Sequence, residues 1–239
     1  EKAGQTYWQI LPICPTSYGD SPYQSFSSFA GNPYFIDLEL LCKEKLLKKA
    51  ECEAVAWGSD PRRVDYGTMY HSRYTVLRKA SERFLKSVPE DFAGFCEREA
   101  EWLDDYALFM ALKDAHNGMA WPNWERELKF REENALAEAR EEYAEDILFY
   151  KTIQYLFFKQ WRALKAYANE KGIRIIGDVP IYVAGDSADV WANPTQFYLD
   201  ENLDPIDVAG CPPDAFSADG QLWGNPLFRW DEMKKDGYS

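Results

Sequence analysis

Apolar residues dominate the start of the chain and recur further along it at helical spacing. The run from Tyr7 to Ile13 is apolar and aromatic, and Pro15 follows it closely, which predicts a buried strand that ends in a loop. Residues 16–34 are rich in Ser, Gly, Pro and Tyr and show no helical period. Loops longer than about 12–15 residues in compact domains are usually functional, so this loop is a candidate site.

Helical patterns fill most of the middle of the chain. Five segments have apolar or charge spacing typical of helices: residues 36–49, 74–88, 95–115, 125–146 and 147–171. Gly172 is placed to end the last of these helices. The β-branched residues that follow, up to Pro180, predict a second strand. A helix that leads into a strand in this way is typical of α/β proteins.

The number of strands limits the possible architecture. Only three or four credible strands can be found, whereas an eight-stranded α/β barrel normally needs about 250 residues even without insertions. These 239 residues therefore cannot close such a barrel alone. An open α/β sheet fits the same pattern, but neither GxGxxG nor GxxxxGK[ST] occurs to support a nucleotide site.

Charge and composition restrict the class of partner. The formal net charge is −13, and a surface this acidic repels nucleic-acid phosphates and anionic membranes but not neutral sugars. No apolar run reaches the roughly 18 residues of a membrane span. Five scattered cysteines without CxxC spacing and two histidines disfavour a zinc site. Reduced thiols and a start without a targeting segment favour a cytoplasmic protein.

Asp178 is the first candidate for a functional side chain. It ends the second predicted strand, and the carboxyl ends of strands face the active site in α/β barrels. A carboxylate there can accept hydrogen bonds from sugar hydroxyls. A helix N-cap or a structural aspartate is the alternative, and no Ser-His-Asp set can be recognised elsewhere.

Two loops combine aromatic rings with hydrogen-bonding side chains. Residues 209–226 place Asp214, Gln221 and Asn225 beside Phe216 and Trp223, a mixture that suits the apolar faces and hydroxyl rim of a glucose unit. Residues 18–25 repeat this chemistry with two tyrosines, two serines and a glutamine. Packing of each loop on its own rings is the alternative.

Three motifs together point to one family: YGDSPYQSFSSFAGNPY at residues 18–34, GDVPIYV at 177–183 and PPDAFSADGQLWGNP at 212–226. In their order and spacing they resemble the 4-α-glucanotransferases of glycoside hydrolase family 77, also called amylomaltases or disproportionating enzymes. The resemblance implies a (β/α)8 TIM barrel with inserted subdomains. It further implies transfer of α-1,4-glucan segments between maltooligosaccharides by a retaining double displacement, which needs no cofactor.

The resemblance also implies roles for individual residues. Nine match substrate-binding positions of the family: Tyr18, Ser21, Tyr23, Tyr66, Asp178, Asp214, Phe216, Gln221 and Trp223. Among them Tyr18 matches a tyrosine of a secondary glucan site, Tyr66 an acceptor-side tyrosine, and Asp178 an aspartate near the donor sugar. The family loop often has an aromatic residue before its phenylalanine, but Ala215 stands here.

Finally, the resemblance implies that this chain is the first half of a longer enzyme. The family's catalytic carboxylates lie downstream of residues 225–233, so we expect no catalytic residue and no metal site here, and an isolated chain that is inactive. The expected fold class is α/β, an incomplete (β/α)8 barrel with a largely helical insertion. Its parts are residues 1–57 with the substrate loop 14–34, 58–150 as the insertion, and 151–239 with the glucan loop 209–226.

Two other functions remain open at this point. An α-amylase-type hydrolase would use a related barrel, but that group usually has Asn-His after the aspartate, whereas Val-Pro follows Asp178. A non-catalytic glucan-binding fragment would use the same rings without any carboxylate chemistry.

Overall fold

The computed structural model describes residues 2–235 and 237–238, and its helices pack around one aromatic core. The α-helices are α1 (Leu38–Lys43), α2 (Lys49–Glu53), α3 (Tyr66–Phe84), α4 (Asp91–Arg98), α5 (Ala100–Ala115), α6 (Arg126–Lys129), α7 (Glu133–Glu142), α8 (Ala144–Glu170), α9 (Ala188–Ala192) and α10 (Trp230–Met233). The strands are β1 (Tyr7–Gln9), β2 (Arg174–Ile176), β3 (Val208–Cys211) and β4 (Gln221–Pro226).

The four strands form two small sheets. β1 and β2 are parallel, with Tyr7 opposite Arg174 and Gln9 opposite Ile176. Parallel neighbours need a long crossover, and here helices α1–α8 make it. β3 and β4 are antiparallel, with an irregularity in register between Val208 and Gly210. The chain is therefore a mixed α/β protein, as the sequence predicts.

Helices α5 and α8 form the centre of the core. In α5 the residues from Tyr106 to Leu112 are all buried, and a helix that is apolar on every side is one surrounded by protein. In α8 the buried side includes Ile153, Leu156 and Phe157. As predicted, Gly172 directly follows the last turn of α8, with the left-handed φ of 73° that favours glycine at a helix end.

Several predicted helices are broken or shifted in the structure. Residues 36–49 form α1 and the start of α2, because Lys45 adopts a left-handed φ of 64° between them. Arg131, with φ 55°, likewise separates α6 from α7. Helix α3 begins at Tyr66 rather than near residue 74, because the Asp65 carboxylate caps it by accepting the backbone N–H of Thr68 at 3.0 Å.

The prediction of a buried first strand is wrong for β1. Tyr7 and Trp8 are 56% and 45% exposed. Within the described residues β1 pairs with β2 alone, so no second strand lies along its other edge. An apolar run shows which residues can be buried. Whether they are buried depends on which other elements pack against them.

The core also runs through all three predicted parts of the chain. Leu41, Leu108 and Trp191, one from each part, belong to one continuous apolar cluster. The division at residues 57 and 150 stays a prediction. Among the described residues, no helix is both long enough and apolar enough to cross a membrane.

The first loop is fixed to α8 by a close contact at Gly31. The buried Gln154 side chain accepts the Gly31 N–H at 2.7 Å and donates to its carbonyl at 2.9 Å. A Cβ atom on Gly31 would overlap the Phe157 ring, so only glycine allows this approach.

We expect Gly31→Ala to lower the free energy of unfolding by about 1–3 kcal/mol, because the added methyl overpacks the contact with Phe157. Urea unfolding followed by circular dichroism measures this loss. Gly67→Ala, in the first turn of α3 with its nearest neighbouring atom at 3.8 Å, is the matched control and should be neutral or stabilising by up to about 1 kcal/mol. Equal stability of the two variants would contradict the contact.

Candidate functional site

A cavity of about 580 Å³ lies where the three sequence motifs meet. The segment after β2 contributes residues 178–182. The first motif contributes Ser21, Tyr23 and Gln24, and strand β4 contributes Gln221, Trp223 and Asn225. Five of the predicted substrate-binding residues line this cleft: Ser21, Tyr23, Asp178, Gln221 and Trp223. The structure therefore brings together residues that lie up to about 200 positions apart in sequence.

A direct hydrogen bond joins the first two motifs. The Tyr23 hydroxyl donates to Asp178 Oδ2 at 2.7 Å. This bond raises the pKa of the Tyr23 phenol, because ionisation would remove the donated proton and place a second negative charge beside the carboxylate. The Ser21 hydroxyl accepts the Tyr23 N–H at 3.2 Å and holds the tyrosine backbone in place.

Two side-chain amides that line the cleft also bind the motifs together. The Gln24 amide donates to Asn225 Oδ1 at 3.1 Å, and the Asn225 amide donates to the Val183 carbonyl at 2.7 Å. Asn225 is 4% exposed, and both ends of its amide are engaged in these bonds. The sequence suggests Asn225 as a ligand-binding group, whereas the structure uses it to join three segments.

Aromatic rings form one wall of the cleft. Trp223 is 41% exposed, and its indole N–H donates to Gln221 Oε1 at 3.0 Å, which fixes both side chains before any ligand arrives. The Tyr182 ring lies 6.3 Å from the Trp223 ring at an angle of 52°. Exposed rings beside amide and carboxylate oxygens can hold the flat faces and the hydroxyls of a sugar.

The sequence argument does not single out Tyr182. The sequence does contain a signal for this residue: Tyr182 is an aromatic residue inside the GDVPIYV motif, and it lies four positions after Asp178, on the same loop. Pattern alone does not show whether such a ring faces the core or the cleft.

Three of the nine predicted residues, Asp214, Phe216 and Tyr66, do not line this cleft. Asp214 Oδ1 accepts the backbone N–H groups of Phe216 and Ser217, both at 2.8 Å, so it shapes its own loop. Phe216 is 96% exposed. Tyr66 instead lines a second cavity, of about 340 Å³, with its ring 6.4 Å from that of Tyr34. The side chain of Tyr18 lies outside the described part of the structure. The binding roles of these four stay predictions.

The first loop has a second anchor on helix α9. Asp189 accepts the Ser28 N–H at 2.9 Å and the Ser28 hydroxyl at 3.3 Å. Burial disfavours the charged carboxylate and raises the pKa of Asp189 to about 6. No group of three or more His, Cys, Asp or Glu side chains in residues 2–235 or 237–238 is arranged to hold a metal ion.

Comparisons with known proteins agree on one family. The family model described as 4-α-glucanotransferase matches residues 1–239. The 4-α-glucanotransferases of Clostridium butyricum and Thermus thermophilus are 52% and 54% identical to the chain over 239 and 243 residues, and each alignment covers 100% of it. The solved structure of amylomaltase from Streptococcus agalactiae in complex with acarbose matches the whole chain with a TM-score of 0.95 at 45% identity.

The chain spans about half the length of these relatives. The alignments cover 49% of the Clostridium butyricum protein, 48% of the Thermus thermophilus protein and 48% of the Streptococcus agalactiae chain.

The anchor at Asp189 gives a testable pH dependence. Because the folded-state pKa is raised to about 6, the folded state binds more protons than the unfolded state between about pH 4 and pH 6. The contribution of Asp189 to stability is therefore present at low pH and falls as the pH rises through this window. Asp189→Asn cannot ionise and retains partners for Ser28. The unfolding free energy of this variant minus that of the parent protein should therefore increase as the pH rises from 4 to 6.

Urea unfolding of both proteins at several pH values measures this difference. The other titrating groups contribute equally to both proteins, so their contributions cancel. A difference in unfolding free energy that stays constant from pH 4 to pH 7 would show that the Asp189 carboxyl does not titrate there.

Proposed function

Because this chain belongs to the 4-α-glucanotransferase family, we propose that the protein containing it transfers α-1,4-glucan segments between maltooligosaccharides. The observation that carries the proposal is the cleft in which Asp178, Tyr23, Gln221 and Trp223 converge from three separate motifs. Its rings and neutral amides suit an uncharged sugar chain. The formal charge of −13 disfavours anionic partners such as nucleic acid and acidic membranes.

We further propose that the chain is part of a (β/α)8 barrel with a largely helical insertion. Support comes from the parallel β1–β2 pair and from helix α8, which leads directly into β2 as in an α/β unit. The exposed apolar residues Tyr7, Trp8 and Ile176 of these strands suit a sheet that continues beyond this pair. In such a barrel the residues that follow strands, here Asp178, lie at the active-site face.

In this proposal the catalytic carboxylates come from outside these 239 residues. A retaining transfer needs two carboxyl groups about 5 Å apart on either side of the scissile bond. Among the described residues that line the cleft, Asp178 is the one carboxylate, and Tyr23 hydrogen-bonds it. Asp178 then orients the substrate, and the isolated chain binds glucan without acting on it.

Transfer rather than hydrolysis requires that water be kept from the glycosyl-enzyme intermediate. The β3–β4 hairpin suits this task because its backbone is tightly closed. A Cβ atom on Gly220, which has a φ of 75°, would lie 2.5 Å from the Cys211 carbonyl oxygen. The hairpin carries Trp223 at the cleft and presents the exposed Phe216 at its tip.

We also place the protein in the cytoplasm. All five cysteines are free thiols in the structure, as expected for proteins kept in a reducing compartment. Cell fractionation of the source organism tests this, and recovery in a secreted or periplasmic fraction would contradict it.

The activity is tested by incubating the complete protein with maltotriose alone. Transfer yields glucose together with maltooligosaccharides longer than maltotriose, and chromatography of the products detects both. Formation of glucose and maltose without longer products would identify a hydrolase instead. The isolated 239-residue chain should leave maltotriose unchanged.

We expect Trp223→Ala in the complete protein to reduce kcat/KM for maltotriose by roughly tenfold or more, because it removes an exposed indole ring from the cleft wall. Initial-rate measurements over a range of maltotriose concentrations give the change. Trp57→Ala is the matched control, since Trp57 has similar exposure, 37%, but lies outside this cleft. Unchanged kinetics for Trp223→Ala would remove Trp223 from the binding site.

A further inference from the structure

We propose that Lys113, on helix α5, is a positioning residue that holds the Asp178–Tyr182 wall of the cleft through an ion pair with Asp186. This proposal rests on the proposed function. It means that a residue of the helical region helps to shape the glucan-binding surface.

Lys113 is a buried cation with a full set of partners. Its side chain is 5% exposed, and its ammonium group lies 2.6 Å from Asp186 Oδ2. It also donates to the carbonyl oxygens of Gly118 and Met119 at 3.0 and 3.2 Å. An ammonium has three donors, and all three are used here. Because a buried charge is costly unless it is paired, these contacts fix where Asp186 can lie.

Asp186 and its neighbour are tied to the same region by a buried tryptophan. Asp186 Oδ1 accepts the backbone N–H of Trp121 at 3.2 Å, so both carboxylate oxygens have a partner. The Trp121 indole N–H donates to the Gly185 carbonyl at 2.8 Å. Trp121 is 1% exposed and belongs to the core. Residues 185–186 are therefore attached to the turn between α5 and α6 by these two hydrogen bonds in addition to the ion pair with Lys113.

Two side chains of the wall between strand β2 and this attachment have little packing, whereas the Tyr182 ring stacks on that of Phe228 at 6.0 Å. Val179 and Ile181 are 80% and 79% exposed. At one end the wall is fixed by β2, where the Ile10 N–H donates to the Ile176 carbonyl at 3.0 Å. Towards the other end, the Val183 carbonyl accepts a hydrogen bond from Asn225, and Asp186 then binds Lys113. The course of the exposed residues is therefore set by how these two ends are held.

The same ammonium contacts the first motif. Lys113 Nζ lies 5.0 Å from the centre of the Phe26 ring, within the range of a cation–π interaction. Phe26 follows the cleft residues Tyr23 and Gln24 by two or three positions. Lys113 thus contacts residues that follow two of the cleft segments, Phe26 after the first and Asp186 after the second, although it does not line the cleft itself.

The proposal is tested in the complete protein with Lys113→Met, which keeps the length of the side chain and removes its charge. We expect KM for maltotriose to rise by roughly tenfold and kcat to fall less, since misplacement of about 1 Å can cost up to a hundredfold. Deuterium uptake by backbone amides of residues 179–186 should increase, while uptake in α5 and α8 stays that of the parent protein.

A second variant and a control accompany this measurement. Asp186→Asn alters the other partner, whose side chain is 33% exposed, and tests the same pair if Lys113→Met does not fold. Because the two residues act as a unit, the double variant should have the KM of either single variant rather than the product of both effects. Lys159→Met removes an exposed lysine paired with Glu44 and should leave KM and amide exchange unchanged.

Each outcome separates the possible explanations. Folded Lys113→Met and Asp186→Asn variants with the parent's KM and the parent's exchange in residues 179–186 would overturn the proposal. Faster exchange spread evenly over α5 and α8 would show a general loss of stability and would also overturn it. If the parent protein fails to elongate maltotriose, the proposed function fails, whereas the exchange measurements still decide whether Lys113 holds the wall.

Discussion

The cleft depends on one constraint, which is that backbone groups of a loop packed against the core must find hydrogen-bond partners there. Buried polar side chains supply those partners. Gln154 binds both the N–H and the carbonyl of Gly31, Asn225 binds the Val183 carbonyl, and Lys113 binds the turn at residues 118–119. Each lies on or beside a regular element, so the loops take their course from helices and strands rather than from their own propensities.

This arrangement gives the site rigidity without a large apolar contact area. Most side chains that line the cleft are exposed, but the groups that hold the lining segments in place are not: Asn225, which also lines the cleft, and Lys113, which does not, are each 4% exposed. The side chains that a glucan would meet are already hydrogen-bonded in pairs, Tyr23 to Asp178 and Trp223 to Gln221. A ligand would therefore exchange one set of hydrogen bonds for another on a surface that is ordered beforehand, which reduces the entropic cost of binding.

The sequence predicted the helical middle, the α8–β2 unit and the α/β class, because apolar spacing reports which face of an element can be buried. It placed the helix breaks poorly, since Lys45 and Arg131 enter the left-handed region in ways that composition does not signal. For the site, the three motifs gave five residues that line the cleft. Lys113 and Tyr182 were missed, because the use of a lysine in an apolar helix depends on a carboxylate 73 positions away.

The open β1–β2 pair bears on how the isolated chain would behave in solution. A two-stranded sheet has two edges with unpaired backbone groups, and such edges can template association with another chain. Here they lie near exposed apolar side chains, including Trp8, Leu11 and Val179. Preparations of the chain alone should therefore self-associate as their concentration rises. Dilute handling, or a partner segment that covers these edges, would be needed to keep it monomeric.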